Sequence, residues 1–273
     1  VESLNLGPFS DFHIQFPNDR LVMDGTRMMQ PGFNVVEVKG LNDPVPMSSD
    51  SQGYAQGHGE FDSEGQYGAR EIQVLGYVYD PNMLKLGHWR DRFNGIRADG
   101  KYGQMIVDEF GQTRSLSVKR DKGGAFGRLG ASRFVEFDLR LKASDPRMFG
   151  ETQNLGDGIG TSVKVSHDGN FNAHPVIRVT ATSAMSDGYV LALRDEATWA
   201  VNFGDLRMHA LATGSTHEIH MREGIVRRGS TTTGLVAGGG FWSVPPWGDF
   251  RIFVVPNGAG AGGLRVELPH TYI

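Results

Sequence analysis

Gly68-Ala69-Arg70-Glu71-Ile72-Gln73-Val74-Leu75-Gly76-Tyr77-Val78-Tyr79 alternates apolar and polar side chains, as a half-buried strand does. Upstream, Pro31-Gly32-Phe33-Asn34-Val35-Val36-Glu37-Val38-Lys39-Gly40-Leu41 follows the same pattern. Between them lie residues 48–67, polar and rich in Gly and Ser. Two strands holding a long polar loop describe a scaffold that presents a surface rather than a catalytic cleft.

Working outward, Asp11-Phe12-His13-Ile14-Gln15-Phe16 alternates too, and Asp24-Gly25 is a hairpin turn signal. A single helix is expected over residues 80–97. Asp80 would cap it and Pro81 suits its first turn. Leu84, Trp89, Phe93 and Ile96 would form its apolar stripe. Strands are expected at 103–110, 114–120 and 133–142, the last with near-perfect alternation. Residues 121–130 read as a Gly-rich loop.

Ser144-Asp145-Pro146-Arg147 breaks the pattern, and Gly156 to Gly160 is again Gly-rich. A boundary near residue 150 follows, giving domains 1–148 and 149–273. Beyond it, short strands recur at the spacing of an antiparallel β-sandwich. They are expected at 161–166, 175–181, 189–193, 198–202, 217–221, 224–228, 250–255 and 264–268. The fold class is therefore mainly β, with one helix in the N-terminal half.

Gly makes up 38 of 273 residues, about twice its usual share, and marks many turns. The net charge of −4 offers no electrostatic footing for nucleic acid or an anionic membrane. The absence of Cys excludes disulfides and thiolate metal sites. No apolar run reaches the ~20 residues of a membrane helix. The first residues, Val1-Glu2-Ser3-Leu4, lack the basic and apolar regions of a signal peptide. They suggest a removed initiator Met, and nothing in them directs the chain to the secretory route.

The residues carry little chemistry. His217-Glu218-Ile219-His220 has its histidines three apart on an expected strand, so they point to opposite faces and do not converge on a metal. Asp195-Glu196 and Asp108-Glu109 are adjacent and diverge in extended chain. A glycosidase pair would have to come from distant strands. There is no Gly-x-Ser-x-Gly elbow. Gly238-Gly239-Gly240 and Gly258 to Gly263 lack the residues of a phosphate loop and read as turns. Phe241-Trp242-Ser243-Val244-Pro245-Pro246-Trp247-Gly248 could stack a sugar through Trp242 and Trp247. Its plainer reading buries Trp242 at a sandwich edge. No catalytic, cofactor-binding or metal-binding residue is expected, no cofactor is implied, and the chain does not read as an enzyme.

Together these segments resemble the distal tail proteins of long, non-contractile-tailed bacteriophages. Residues 31–41 look like that family's second strand, 67–76 like the strand returning from its long loop, and 81–97 like its single helix. Residues 137–149 resemble its exit into the second domain through Asp145-Pro146. Gly169 to Thr180 and Phe241 to Ile252 look like its later apolar strand and aromatic-Pro turn. The resemblance implies an N-terminal split-barrel-like domain that builds a ring, usually a hexamer. It also implies a C-terminal galectin-like sandwich outside that ring. The implied role is a structural virion protein, a baseplate hub joining tail tube to tail tip, assembled in the host cytoplasm. Implied partners are copies of itself, the tail tube, the tape measure and the tail-tip proteins. The galectin sugar-binding set is absent, since His174-Pro175 lacks the expected Asn and Arg, so no sugar-binding residue carries over.

Overall fold

The computed structural model describes residues 12–25, 30–48, 51–53, 60–62, 65–127, 132–199, 202–233 and 236–273. The chain divides into two compact units, Val1–Met148 with Ile273, and Phe149–Tyr272.

The N-terminal unit is a closed seven-stranded barrel. Its first strands are β1 (His13–Phe16), β2 (Leu21–Asp24) and β3 (Gly32–Lys39). Two short ribbons follow. They are built from β4 (Met47–Ser48), β5 (Ser51–Gly53), β6 (Glu60–Asp62) and β7 (Gln66–Tyr67). The barrel continues with β8 (Arg70–Tyr79), β9 (Gly103–Glu109) and β10 (Gln112–Arg120). After the short β11 (Ala125–Phe126) it ends with β12 (Phe134–Ala143). Around the barrel the order is β12-β8-β3-β2-β1-β9-β10, and β10 closes back on β12 through Lys119↔Lys142 and Arg120↔Leu141. Closure leaves these strands without a free edge.

Alternation explains the barrel interior. Val135, Phe137, Leu139, Leu141 and Ala143 of β12 are buried, and so are Ile72, Val74 and Val78 of β8. In β3 the alternation is interrupted. A bulge between Val35 and Glu37 resets the register, and Val36 is turned to solvent.

The turn signal at Asp24-Gly25 is misleading. The hairpin is the β1–β2 pair, joined through the short 3₁₀ turn Pro17–Asp19. The strands flanking Asp24-Gly25 run parallel, with Asp24 beside Asn34.

A 3₁₀ turn (Met83–Lys85) leads into α1 (Leu86–Gly95), the one α-helix among the described residues. It starts later than expected because Asn82, not Asp80, supplies the capping oxygen, to the Leu84 amide at 3.1 Å. Asp80 instead accepts the Asn82 amide and the Trp89 indole N–H, both at 2.9 Å. Leu84 is 90% exposed and Leu86 takes its place in the core. The helix docks on the barrel through rings: Phe93 lies 5.8 Å from Phe137 and 5.4 Å from Phe126, and Phe33 lies 5.6 Å from Trp89. Arg120 donates to the Phe93 and Asn94 carbonyls at 3.0 and 3.1 Å, satisfying the helix C-terminus.

The C-terminal unit is a two-sheet sandwich. Its strands begin with β13 (Met148–Leu155), β14 (Ser162–Val165), β15 (Val176–Ser183) and β16 (Tyr189–Asp195). Next come β17 (Asn202–Met208), β18 (Thr216–His220), β19 (Ile225–Arg228) and β20 (Thr231–Thr233). The last are β21 (Val236–Gly239), β22 (Phe250–Pro256) and β23 (Ala261–Tyr272). One sheet runs β13-β23-β15-β18-β19-β20 and the other β14-β22-β16-β17-β21. Their inner faces share one core, including Ile177, Val179, Leu191, Leu193, Ile219, Ile252, Val254 and Val266.

The mainly β, one-helix architecture expected from the pattern is the one observed. Two further local expectations fail. Residues 198–199 form a turn rather than a strand, and Gly238-Gly239 belong to β21 rather than to a loop.

Candidate functional site

The expected loop at 48–67 is a pair of β-ribbons in the parts described. Residues 49–50, 54–59 and 63–64 lie outside the described residues. Met47 pairs with Tyr67 and Ser48 with Gln66, while β5 pairs with β6. The first cross-strand pair exposes two large side chains: Met47 is 59% exposed and Tyr67 38%.

Arg70 fixes the root of this arm. Its buried guanidinium donates to the Pro146 carbonyl at 2.9 Å, and to the carbonyls of Gly40 (3.1 Å), Leu41 (2.6 Å) and Asp43 (3.1 Å). Burial lowers the Arg70 pKa, and the nearby Asp43 carboxylate opposes that shift. Gly40 makes the turn possible: its φ is +77°, and a Cβ there would lie 1.8 Å from the Glu71 carbonyl oxygen. The Asp43 carboxylate closes the turn by accepting the Gly40 amide at 2.8 Å.

In the second Gly-rich segment, 121–130, Ala125 and Phe126 pair with Asp138 and Phe137. Residues 128–130 lie outside the described residues.

In the C-terminal unit the histidines separate as their spacing requires. His217 is fully buried and His220 is half-buried beside Glu218 at 2.7 Å. Arg228 Nη2 lies 2.9 Å from His217 Nε2 and can only donate, so His217 Nε2 accepts and its Nδ1 carries the proton toward Tyr189 Oη at 3.0 Å. Burial, then the Arg228 cation, pushes the His217 pKa down to about 4. The sign follows. Below the ordinary histidine pKa of ~6.5 the unfolded chain takes up a proton that the folded one refuses, so stability falls between about pH 6.5 and 4. We expect His217→Gln to remove roughly 1–3 kcal/mol of this acid sensitivity, read as a flatter urea midpoint between about pH 7 and 4.5.

Several carboxylates of this unit are tied to cations or amides. Arg178 Nε lies 2.8 Å from Glu218, and its Nη1 bonds Glu267. Hydrogen bonds lower the pKa of Asp157, Asp195, Glu196 and Glu218. A glycosidase general acid requires the opposite shift. Asp195 and Glu196 diverge as expected: Asp195 takes the Ala197 and Thr198 amides, and Glu196 meets Arg251 at 2.6 Å. Among the described residues no group of His, Asp and Glu is placed to hold a metal. A cleft of about 290 Å³ is lined by Phe149, His174, Arg222, Glu223 and Glu267, with the Arg222 guanidinium 5.1 Å from the Phe149 ring centre.

The two tryptophans named from the sequence part company. Trp242 is 6% exposed and packs in the sandwich core, where Gly204 leaves it room: a Cβ there would lie 2.4 Å from Trp242 Cδ1. Trp247 is 79% exposed. Trp242 therefore cannot offer a ring face to a sugar. Sequence reasoning missed Trp199, which is 53% exposed, because its setting depends on the β16–β22 pairing.

No family model and no curated protein matches the chain. Among solved structures, the chain is similar to the SPP1 Dit (gp 19.1) protein, titled a paradigm of hub adsorption apparatus in Gram-positive infecting phages. The TM-score is 0.70 at 14% identity, over 96% of this chain and 99% of that one. This chain has the SPP1 Dit fold. Chains of the phage P2 baseplate in its activated conformation, with Ca and with Sr, align at TM-scores of 0.46 and 0.45 and identities of 7% and 6%. They span 95% of this chain and 98% of theirs. The likeness to the SPP1 protein runs through both units.

Proposed function

We propose that this chain is a distal tail protein: a structural virion component whose copies form a ring at the end of a long phage tail. The ring would be a hexamer joining tail tube to tail tip. The observation that carries this reading is the near end-to-end match to a hub protein at a TM-score of 0.70.

The physical layout supports it. A closed barrel has no strand edge of its own to offer, while two short ribbons beside it do. An isolated two-stranded ribbon is only marginally stable in water. A neighbouring subunit that pairs with it would cover both the free edge and the exposed Met47–Tyr67 pair. Repeated head to tail, such contacts close into a ring.

Light scattering coupled to size exclusion, followed by negative-stain imaging, tests this. The expected result is a species several times the monomer mass with a central lumen. A protein that stays monomeric at high concentration, and also fails to assemble when tail-tube or tail-tip proteins are co-expressed, would overturn it.

A further inference from the structure

We propose that the Trp199 and Trp247 turns of the C-terminal unit form a binding site for a neutral saccharide. The two turns are tied together. The Glu196 amide donates to the Asp249 carbonyl at 3.0 Å, and Lys164 Nζ lies 2.9 Å from Glu196 Oε2 and 3.0 Å from Asp249 Oδ2. Arg251 completes the cluster, with Nη2 2.6 Å from Glu196 Oε1 and its guanidinium 5.9 Å from the Trp199 ring centre.

Both tryptophans are held in costly backbone conformations. Trp199 has φ +54° and Trp247 φ +59°, a region that bulky side chains rarely enter. The Trp199 turn is held by Asp195, whose carbonyl accepts the Trp199 amide at 3.0 Å and whose carboxylate accepts the two preceding amides. Phe253 supports the Trp199 ring at 5.5 Å. Strain of this kind persists where the surrounding structure enforces it, as it does at ligand clamps.

The chemistry selects the ligand. A pyranose has an apolar C–H face and a rim of hydroxyls. An exposed indole accepts the face with few rotors to freeze, and fixed carboxylate, ammonium and guanidinium groups beside it serve the rim. Lys164 and Arg251 balance Glu196 and Asp249, and Asp195 adds a further negative charge, so the site favours a neutral sugar over an anionic polymer. A protein partner fits less well. It would have to strip water from these ion pairs without replacing their hydrogen bonds, whereas hydroxyls replace them. The site stands apart from the ring reading and does not depend on it.

The test uses the full-length protein, titrated separately with maltotetraose, a galactose tetramer and tetra-N-acetylchitotetraose. The indole N–H resonances are followed by NMR. The expected result is saturable movement of the Trp199 and Trp247 signals with at least one of these sugars, while Trp89 and Trp242 stay fixed. Trp199→Ala and Trp247→Ala should each weaken binding by roughly tenfold, and Glu196→Gln should weaken it too, with the thermal midpoint unchanged. No saturable response up to about 10 mM of any of the three, or an unchanged affinity in the double tryptophan variant, would overturn the proposal. So would a surface silent to sugar that instead binds another protein chain through these two turns.

Discussion

Arg70→Met should destabilise the N-terminal unit by about 3–5 kcal/mol, the largest stability loss expected of any single substitution outside the hydrophobic core. Methionine fills much of the same volume, so the effect isolates hydrogen bonding from packing. Four backbone carbonyls, those of Gly40, Leu41, Asp43 and Pro146, would lose their charged donor at once. Each net bond to a charged group is worth about 1.5–3 kcal/mol, and the sum is tempered because these carbonyls share one side chain and regain some water. Arg70→Lys should recover only a fraction. Its ammonium is a point donor and cannot span acceptors that come from two separate chain segments. Scanning calorimetry or urea melts would measure both variants. A loss below about 1 kcal/mol for Arg70→Met would mean that the carbonyls find other partners and that the arm root is not held by this residue.

How much of this was legible in the sequence depends on what faces inward. Strand β12 could be read almost to the residue because each inward position is apolar and each outward one after Phe134 is charged. Strand β17 was missed because Gly204 occupies an inward position where the pattern calls for a large side chain, and Trp242 from a distant segment fills the space instead. Strand β21, Val236–Gly239, was hidden by its glycines. Strand β13 was passed over because it is largely polar and only partly covered. The hairpin error at Asp24-Gly25 has a different origin. Turn chemistry is local, whereas the parallel pairing of β2 with β3 is decided by barrel closure, which no dipeptide reports.

The candidate surfaces divide along the same line. The position of the arm was visible as a polar interruption between two strands. Its clamp was not, since Arg70 reads as an outward polar residue until Pro146 is brought beside it from 76 positions away. Trp247 stood out in an aromatic-proline turn, but Lys164 and Glu196, which bond Asp249 two residues on, come from other places in the chain. Alternation shows which face of a strand is buried. It carries no record of which turns meet at the end of a sheet.

Replacing residues 49–65 with Asn-Gly should abolish self-association while leaving the fold intact. Ser48 and Gln66 already face each other across β4 and β7, so a two-residue turn can join them without altering the register above it. The barrel should tolerate the loss because its closure runs through β10 and β12, far in sequence from the arm, and because Arg70 holds the root below the cut. Stability should change by less than about 1 kcal/mol, since the barrel closure and the Arg70 clamp both lie outside the replaced segment. Assembly should respond quite differently. If the ribbon edge is what a neighbouring subunit pairs with, its removal takes away both the backbone acceptors and the covering of Met47 and Tyr67, and self-association should weaken at least a hundredfold by sedimentation velocity, which corresponds to about 3 kcal/mol per contact. The contrast between the two measurements carries the information. A shortened chain that melts normally and no longer assembles assigns the arm to the contact between subunits. A shortened chain that melts normally and still closes into rings moves the contact to the barrel wall, and the ribbons would then serve some other partner of the tail.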